Sequence, residues 1–148
     1  MTVERTGSIF VAAPPPEVFA HLDELGRYPA WTDLVARAEP APPDPGGEPA
    51  WTVYLRGRVG PLSRWKRLRM VRTHHDPSGT AVFERVEADG RQHATWRLTA
   101  EVRSEGDGSA VTMTFRYGGR LWGPLVERLL GDEIDRSSAR LAELVTGH

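Results

Sequence analysis

Residues 9–31 read IFVAAPPPEVFAHLDELGRYPAW. An apolar strand end, Ile9-Phe10-Val11, runs into Pro14, Pro15 and Pro16. Proline suits a first helical turn, where its missing N–H has no partner to lose, and Glu17 favours the positive end of a helix. Val18, Leu22 and Leu25 then share one face, and Gly26 is placed as the C-terminal cap. Pro29 opens a second short helix that carries Trp31 and Leu34. The stretch predicts a strand and two short helical pieces ending near the largest side chain available.

Upstream, residues 3–11 complete the first strand. Downstream, EPAPPDPGGEP at 39–49 holds five prolines and two glycines, which neither a helix nor a central strand accepts. It reads as a surface loop. Strand patterns then run almost to residue 119. WTVYLRGRV (51–59) meets LSRWKRLRMVRT (62–73) across Gly60-Pro61. TAVFERVEA (80–88) meets RQHATWRLTAEVRS (91–104) across Asp89-Gly90, and SAVTMTFRYGG (109–119) follows Gly106-Asp107. Residues 124–146 form a helix whose apolar stripe comprises Leu125, Val126, Leu129, Leu130, Ile134, Leu141, Leu144 and Val145.

Two-residue turns fix cross-strand pairs. A turn at Asp89-Gly90 sets Phe83 opposite Trp96, Ala81 opposite Leu98 and Arg85 opposite Ala94. A turn at Gly106-Asp107 sets Trp96 opposite Tyr117, Leu98 opposite Phe115, Ala100 opposite Met113 and Val102 opposite Val111. Both turns assign the same apolar face. The other face carries Glu84, His93, Thr95, Arg97, Thr99, Thr112, Thr114 and Arg116, which suits water. The expected architecture is an antiparallel meander whose apolar side is covered by the last helix.

The 148 residues fit one domain, 1–148. No cysteine is present, so disulfides and thiolate metal sites are excluded. The N-terminus lacks a signal-peptide pattern, and no apolar run approaches the roughly 20 residues of a membrane span. A cytoplasmic location is expected. The net charge of −1 demands no nucleic acid or membrane.

On residues 9–31, on the element order and on RYGGRLWGPLVERLL at 116–130, the chain resembles the START-like helix-grip superfamily, the fold of the birch-pollen allergen. Within it the sequence is most similar to the polyketide cyclase/dehydrase and lipid-transport family. The resemblance covers the whole chain. It implies an α+β helix-grip fold: a curved antiparallel sheet of about seven strands, in the order β-α-α-β(six)-α, wrapped around a long C-terminal helix with an internal cavity. It transfers no catalytic residue, because the fold hosts carriers, receptors and enzymes alike.

The candidate cavity wall is Trp31, Trp51, Leu55, Leu68, Met70, Phe83, Trp96, Leu98, Phe115, Tyr117, Trp122, Val126 and Leu129. Its aromatic members are core residues in a solid fold and pocket lining in a hollow one. Tyr117 and Trp96 offer a hydroxyl and an N–H to a polar ligand end. Arg85 falls on the apolar face. It either anchors a carboxylate, enolate or phenolate, or pairs with Glu87 at the rim. His74 is the histidine to test as an acid or base, with a solvated loop-end position as the alternative. No histidine pair has metal-ligand spacing, and no phosphate or dinucleotide loop occurs, so neither metal nor cofactor is expected.

Residues 50–75 contain no acidic residue but include Arg56, Arg58, Arg64, Lys66, Arg67, Arg69 and Arg72. With pairs summing to 121 across Gly60-Pro61, Tyr54, Arg56, Arg58, Trp65, Arg67 and Arg69 share the outer face. Arg64 and Lys66 join Leu68 and Met70 inside unless a bulge shifts the register. Three readings follow. One is binding of a small hydrophobic, amphipathic or aromatic molecule. A second is a cofactor-independent cyclase or dehydratase using Arg85, Tyr117 and His74. The third is docking of an anionic surface or partner on the basic strip. The residues leave ligand identity and the choice between monomer and homodimer open.

Overall fold

The computed structural model describes the backbone of residues 2–59, 62–119 and 123–147, and the side chains of these except 57–59, 62–65 and 123–132. Seven strands form one antiparallel sheet: β1 (Val3–Val11), β2 (Val35–Ala41), β3 (Ala50–Val59), β4 (Leu62–Asp76), β5 (Thr80–Arg85), β6 (Thr95–Glu105) and β7 (Gly108–Gly118). Their spatial order is β1-β7-β6-β5-β4-β3-β2. Helix α1 (Pro15–Phe19) and a 3-10 turn (Leu25–Ala30) link β1 to β2, and helix α2 (Gly123–Thr146) ends the chain. This is the helix-grip arrangement.

Two of the three expected registers hold. β6 and β7 pair as expected, Trp96 with Tyr117 through Val102 with Val111. β3 and β4 pair Tyr54 with Arg67 and Leu55 with Lys66, and their ladder closes at Val59–Leu62. Gly60 and Pro61 themselves lie outside the described residues. The third register differs. Phe83 faces Leu98 and Ala81 faces Ala100. Asp89-Gly90 is not a two-residue turn, because residues 86–94 all lie between β5 and β6. The connection is held by its own polar groups. Asp89 Oδ1 accepts the Arg91 N–H at 2.9 Å, and its Oδ2 contacts His93 Nε2 at 2.8 Å. A carboxylate that satisfies backbone locally competes with the ladder. The shift is by two residues, so every side chain keeps its face.

The strand missed by residue pattern is β2. Its Pro40 suggested a loop, but β2 is an edge strand, where a missing N–H is tolerated. The second helix is also corrected. Gly26 and Pro29 both lie within the 3-10 turn, and Gly26 has no left-handed φ, so it does not cap a helix.

α1 has only five residues and leaves carbonyls exposed beyond it. Four side chains satisfy them in succession. Arg27 donates to Ala20 O at 3.1 Å, Trp31 Nε1 to His21 O at 3.3 Å, Tyr28 Oη to Leu22 O at 2.8 Å and Arg72 to Asp23 O at 2.8 Å. Tyr28 is fully buried, and burial followed by the nearby Asp23 charge raises its pKa well above the usual tyrosine value. Its ring contacts Trp31 at 4.7 Å and Phe83 at 6.0 Å, and Phe83 meets Trp51 edge-on at 5.7 Å. These four aromatics form a solid plug between the 20–34 segment and the sheet.

α2 packs along β1, where Gly7 lets it approach. A Cβ at Gly7 would overlap Cγ2 of Ile134. Leu141 of α2 is buried, whereas Leu144, placed by pattern in the apolar stripe, is 40 % exposed.

Three substitutions test these contacts. Gly7→Val should lower unfolding free energy by about 1–3 kcal/mol through overpacking, and Ile134→Ala in the same chain should recover part of the loss in a double-mutant cycle by urea denaturation. Tyr28→Phe keeps the ring but orphans Leu22 O, and should cost about 1–2 kcal/mol in the same assay. An unchanged midpoint would show that the carbonyl needs no cap.

Candidate functional site

Alternation along β3, β4, β6 and β7 turns Val53, Leu55, Leu68, Met70, Trp96, Leu98 and Phe115 to one face, and Leu25, Leu34 and Val35 close over them. They border an apolar pocket of about 30 Å³. A second pocket of about 20 Å³ lies between α2 and β1–β7, bordered by Ile9, Trp31, Thr32, Met113, Phe115, Glu133, Ser137 and Leu141 among others. Each has room for a water, far below the roughly 300 Å³ of a small-ligand site. Neither pocket is therefore the ligand-sized cavity expected from the resemblance. Trp122 and the side chains of Val126 and Leu129, expected on its wall, lie outside the described residues, as does the side chain of Arg64.

The other expected wall residues separate into groups. Leu55, Leu68, Met70, Trp96, Leu98 and Phe115 do line the apolar pocket. Trp31 lines the second pocket and is 3 % exposed. Trp51 and Phe83 belong to the aromatic plug. Trp96 packs at a tilt against Tyr117, with ring centroids 4.8 Å apart. Trp96 carries a buried indole N–H with no acceptor among the described residues. Tyr117 is buried, and its hydroxyl lies so close to Gly119 that a side chain there would collide with it.

Arg85 ends β5 opposite Met70, with its side chain 8 % exposed. Its Nε donates to Glu87 Oε1 at 3.0 Å, and the same oxygen accepts the Arg69 N–H at 3.1 Å. Arg85 is thus both on the apolar face and paired. Lys66 lies nearby and is exposed. Partial burial and the Arg85 charge lower its pKa, with Glu87 opposing them. His74 is exposed beside a bulge in β4 that also displaces it from the expected face, so it does not join Arg85 or Tyr117. The basic strip is partly committed to structure. Arg69 donates to Val86 O and Pro42 O and Arg72 to Asp23 O, while the Tyr54 ring, expected among the strip's arginines, is met by Arg37 of β2 at 5.3 Å from its centre.

One buried polar group escaped the sequence reading. Glu133 Oε1 accepts from Thr32 Oγ1 at 3.0 Å, the Asp33 N–H at 2.9 Å and Ser137 Oγ at 2.7 Å. Arg136 holds Oε2 at 3.1 Å, and Arg140 pairs with Asp33 at 2.9 Å. Burial pushes the Glu133 pKa up, but these hydrogen bonds outweigh it and leave the carboxyl below its usual range. α2 is thereby latched to the segment entering β2. The spacing was a signal: Glu133 and Ser137 stand i,i+4 on the face that carries Leu141.

The latch has a pH signature. With a depressed folded pKa, its stabilisation is present above the unfolded carboxyl value and is lost as pH falls through the folded one. Glu133→Gln should cost about 1–3 kcal/mol at pH 7 in thermal or urea unfolding. The gap from the parent chain should narrow below about pH 4.3. A gap independent of pH would contradict an ionised latch.

Comparison with known proteins agrees with this architecture. No curated protein sequence matches the chain at a significant level. A structure from Thermus thermophilus superposes with a TM-score of 0.76 at 19% identity, covering 98% of each chain. A START superfamily protein from Mycobacterium smegmatis gives 0.69 at 16% identity, over 99% of this chain and 97% of the other. The Zhui aromatase/cyclase from a Streptomyces species gives 0.61 at 16% identity, over 99% and 93%. At these identities the likeness concerns the fold. The model of the family described as polyketide cyclase / dehydrase and lipid transport matches residues 2–146, and the chain belongs to that family.

Proposed function

We infer that this protein binds a small hydrophobic or amphipathic molecule against the apolar face of the sheet, on the side where β3, β4, β6 and β7 border the apolar pocket. The observation that carries this reading is that Trp96, a residue of the pocket wall, has a buried indole N–H with no acceptor among the described residues. A buried donor left unpaired costs free energy, and a ligand oxygen would recover it. The pocket's present size requires the walls to part on uptake. The family description, which includes lipid transport, supports the same reading.

A cyclase or dehydratase activity is the second reading. It is favoured by the buried Arg85 guanidinium, which could stabilise an enolate oxygen. The histidine expected to act as its acid or base, His74, is exposed and distant in the ladder from the Trp96–Tyr117 pair. Carriage without chemistry needs no such partner and is preferred.

The test is native mass spectrometry of freshly purified protein, together with fluorescence titration by the neutral apolar probe N-phenyl-1-naphthylamine. A co-purified low-mass adduct, or saturable uptake of the probe that Leu55→Trp weakens by filling the pocket, is expected. A bare chain mass with no saturable uptake would sink the reading.

A further inference from the structure

Two cations and one carboxylate meet at the edge of the apolar pocket. Lys66 follows the same strand face as Leu68 and Met70, and Arg85 lies directly opposite Met70. Glu87 is their shared counter-charge, and one of its oxygens is already occupied by the Arg85 Nε–H and the Arg69 N–H. Among these three described groups one unit of positive charge is left over. Arg85 engages Glu87 through Nε alone, so its two terminal nitrogens keep their donors without a described protein acceptor, on a side chain that is only 8 % exposed. On the neighbouring strand, Arg85 and Trp96 are the next residues beyond the last β5–β6 pair, Glu84–Arg97. Trp96 supplies the unpaired N–H described above. Register sets Lys66 opposite Leu55 and Arg85 opposite Met70, so an ammonium and a guanidinium flank two residues of the pocket wall, of which Trp96 is a third.

The geometry points to a ligand with an apolar body and a single anionic group, held by the terminal nitrogens of Arg85 and by Lys66, with Trp96 donating to the same end. This inference rests on the ligand-binding reading and adds the charge class. A neutral ligand would leave the surplus cation and its donors unmatched. Guanidinium binds an anion through paired N–H groups, and it does so more strongly where the site is screened from water.

The probes are 1-anilinonaphthalene-8-sulfonate, a monoanion, and N-phenyl-1-naphthylamine, the same ring system without the sulfonate. The parent chain should bind the anion more tightly than the neutral probe. Lys66→Met and Arg85→Gln should each weaken the anion about tenfold, the worth of one charge-assisted hydrogen bond, and leave the neutral probe within about twofold. Glu87→Gln should tighten the anion, because it removes the competing carboxylate while keeping an acceptor for the Arg69 N–H. Lys66 is exposed, so its variant reports on charge even if Arg85→Gln loses stability, which thermal unfolding would reveal. Saturable binding of the neutral probe with no preference for the anion, or unchanged anion affinity in Lys66→Met and in folded Arg85→Gln, overturns the charge assignment alone. Failure of both probes to bind overturns the ligand-binding reading with it.

Discussion

Four consecutive carbonyls, Ala20 to Asp23, need hydrogen-bond donors, and the way they find them organises the molecule. A helix of five residues cannot satisfy its own C-terminal end. The donors come from Arg27, Tyr28 and Trp31 downstream and from Arg72 on β4. Each of these bonds also fixes a large side chain. Tyr28 and Trp31 are drawn under the 20–34 segment, where they meet Phe83 and Trp51 and fill that part of the interior. The interruption of the helix is thus a condition of the packing. A longer α1 would satisfy the same carbonyls internally and leave the aromatic donors without acceptors.

With that region filled, the remaining apolar face acquires a different character. The latch formed by Glu133, Ser137, Thr32 and Asp33 ties α2 to the entry of β2 without adding apolar volume. The buried carboxylate is tolerated because three donors converge on one of its oxygens and Arg136 holds the other. Trp96, by contrast, borders the carbon-lined pocket and carries a buried donor with no acceptor among the described residues. Fully satisfied polar groups mark the latch as a structural junction, and the unpaired donor of Trp96 supports the binding reading proposed above. The family's mixture of carriers and catalysts is consistent with such a division, since a packed junction can be kept while the donors around the pocket vary.

Much of the fold was legible because its determinants are local. Period-two alternation and tight turns place Trp96 opposite Tyr117 and Tyr54 opposite Arg67 with no knowledge of distant residues. The β5–β6 connection was misjudged where a side chain competed with the ladder. Asp89 binds the Arg91 backbone and contacts His93, and the turn lengthens. β2 was hidden by Pro40, whose effect depends on whether the strand is an edge, and that is a property of the whole sheet. The site divided in the same manner. Arg85 and Trp96 were assigned to the apolar face by alternation, and that assignment survives the two-residue shift. The bulge at Arg72–His74 removed His74 from it.

The sequence by itself determined the meander, its apolar and wet faces and the covering C-terminal helix, because each follows from spacing along the chain. The family entered by the resemblance of residues 9–31 and 116–130 to its members. Only the tertiary structure decided which aromatics became solid core and which bordered a pocket. It also decided that Glu133 is a buried latch, that Trp31 donates to His21, and that Arg85 gives only one of its nitrogens to Glu87. Those outcomes depend on which donor reaches which acceptor once segments far apart in sequence are packed together. Thr32 and Glu133 stand 101 residues apart, yet their side chains lie 3.0 Å from each other. No periodicity encodes a contact of that separation.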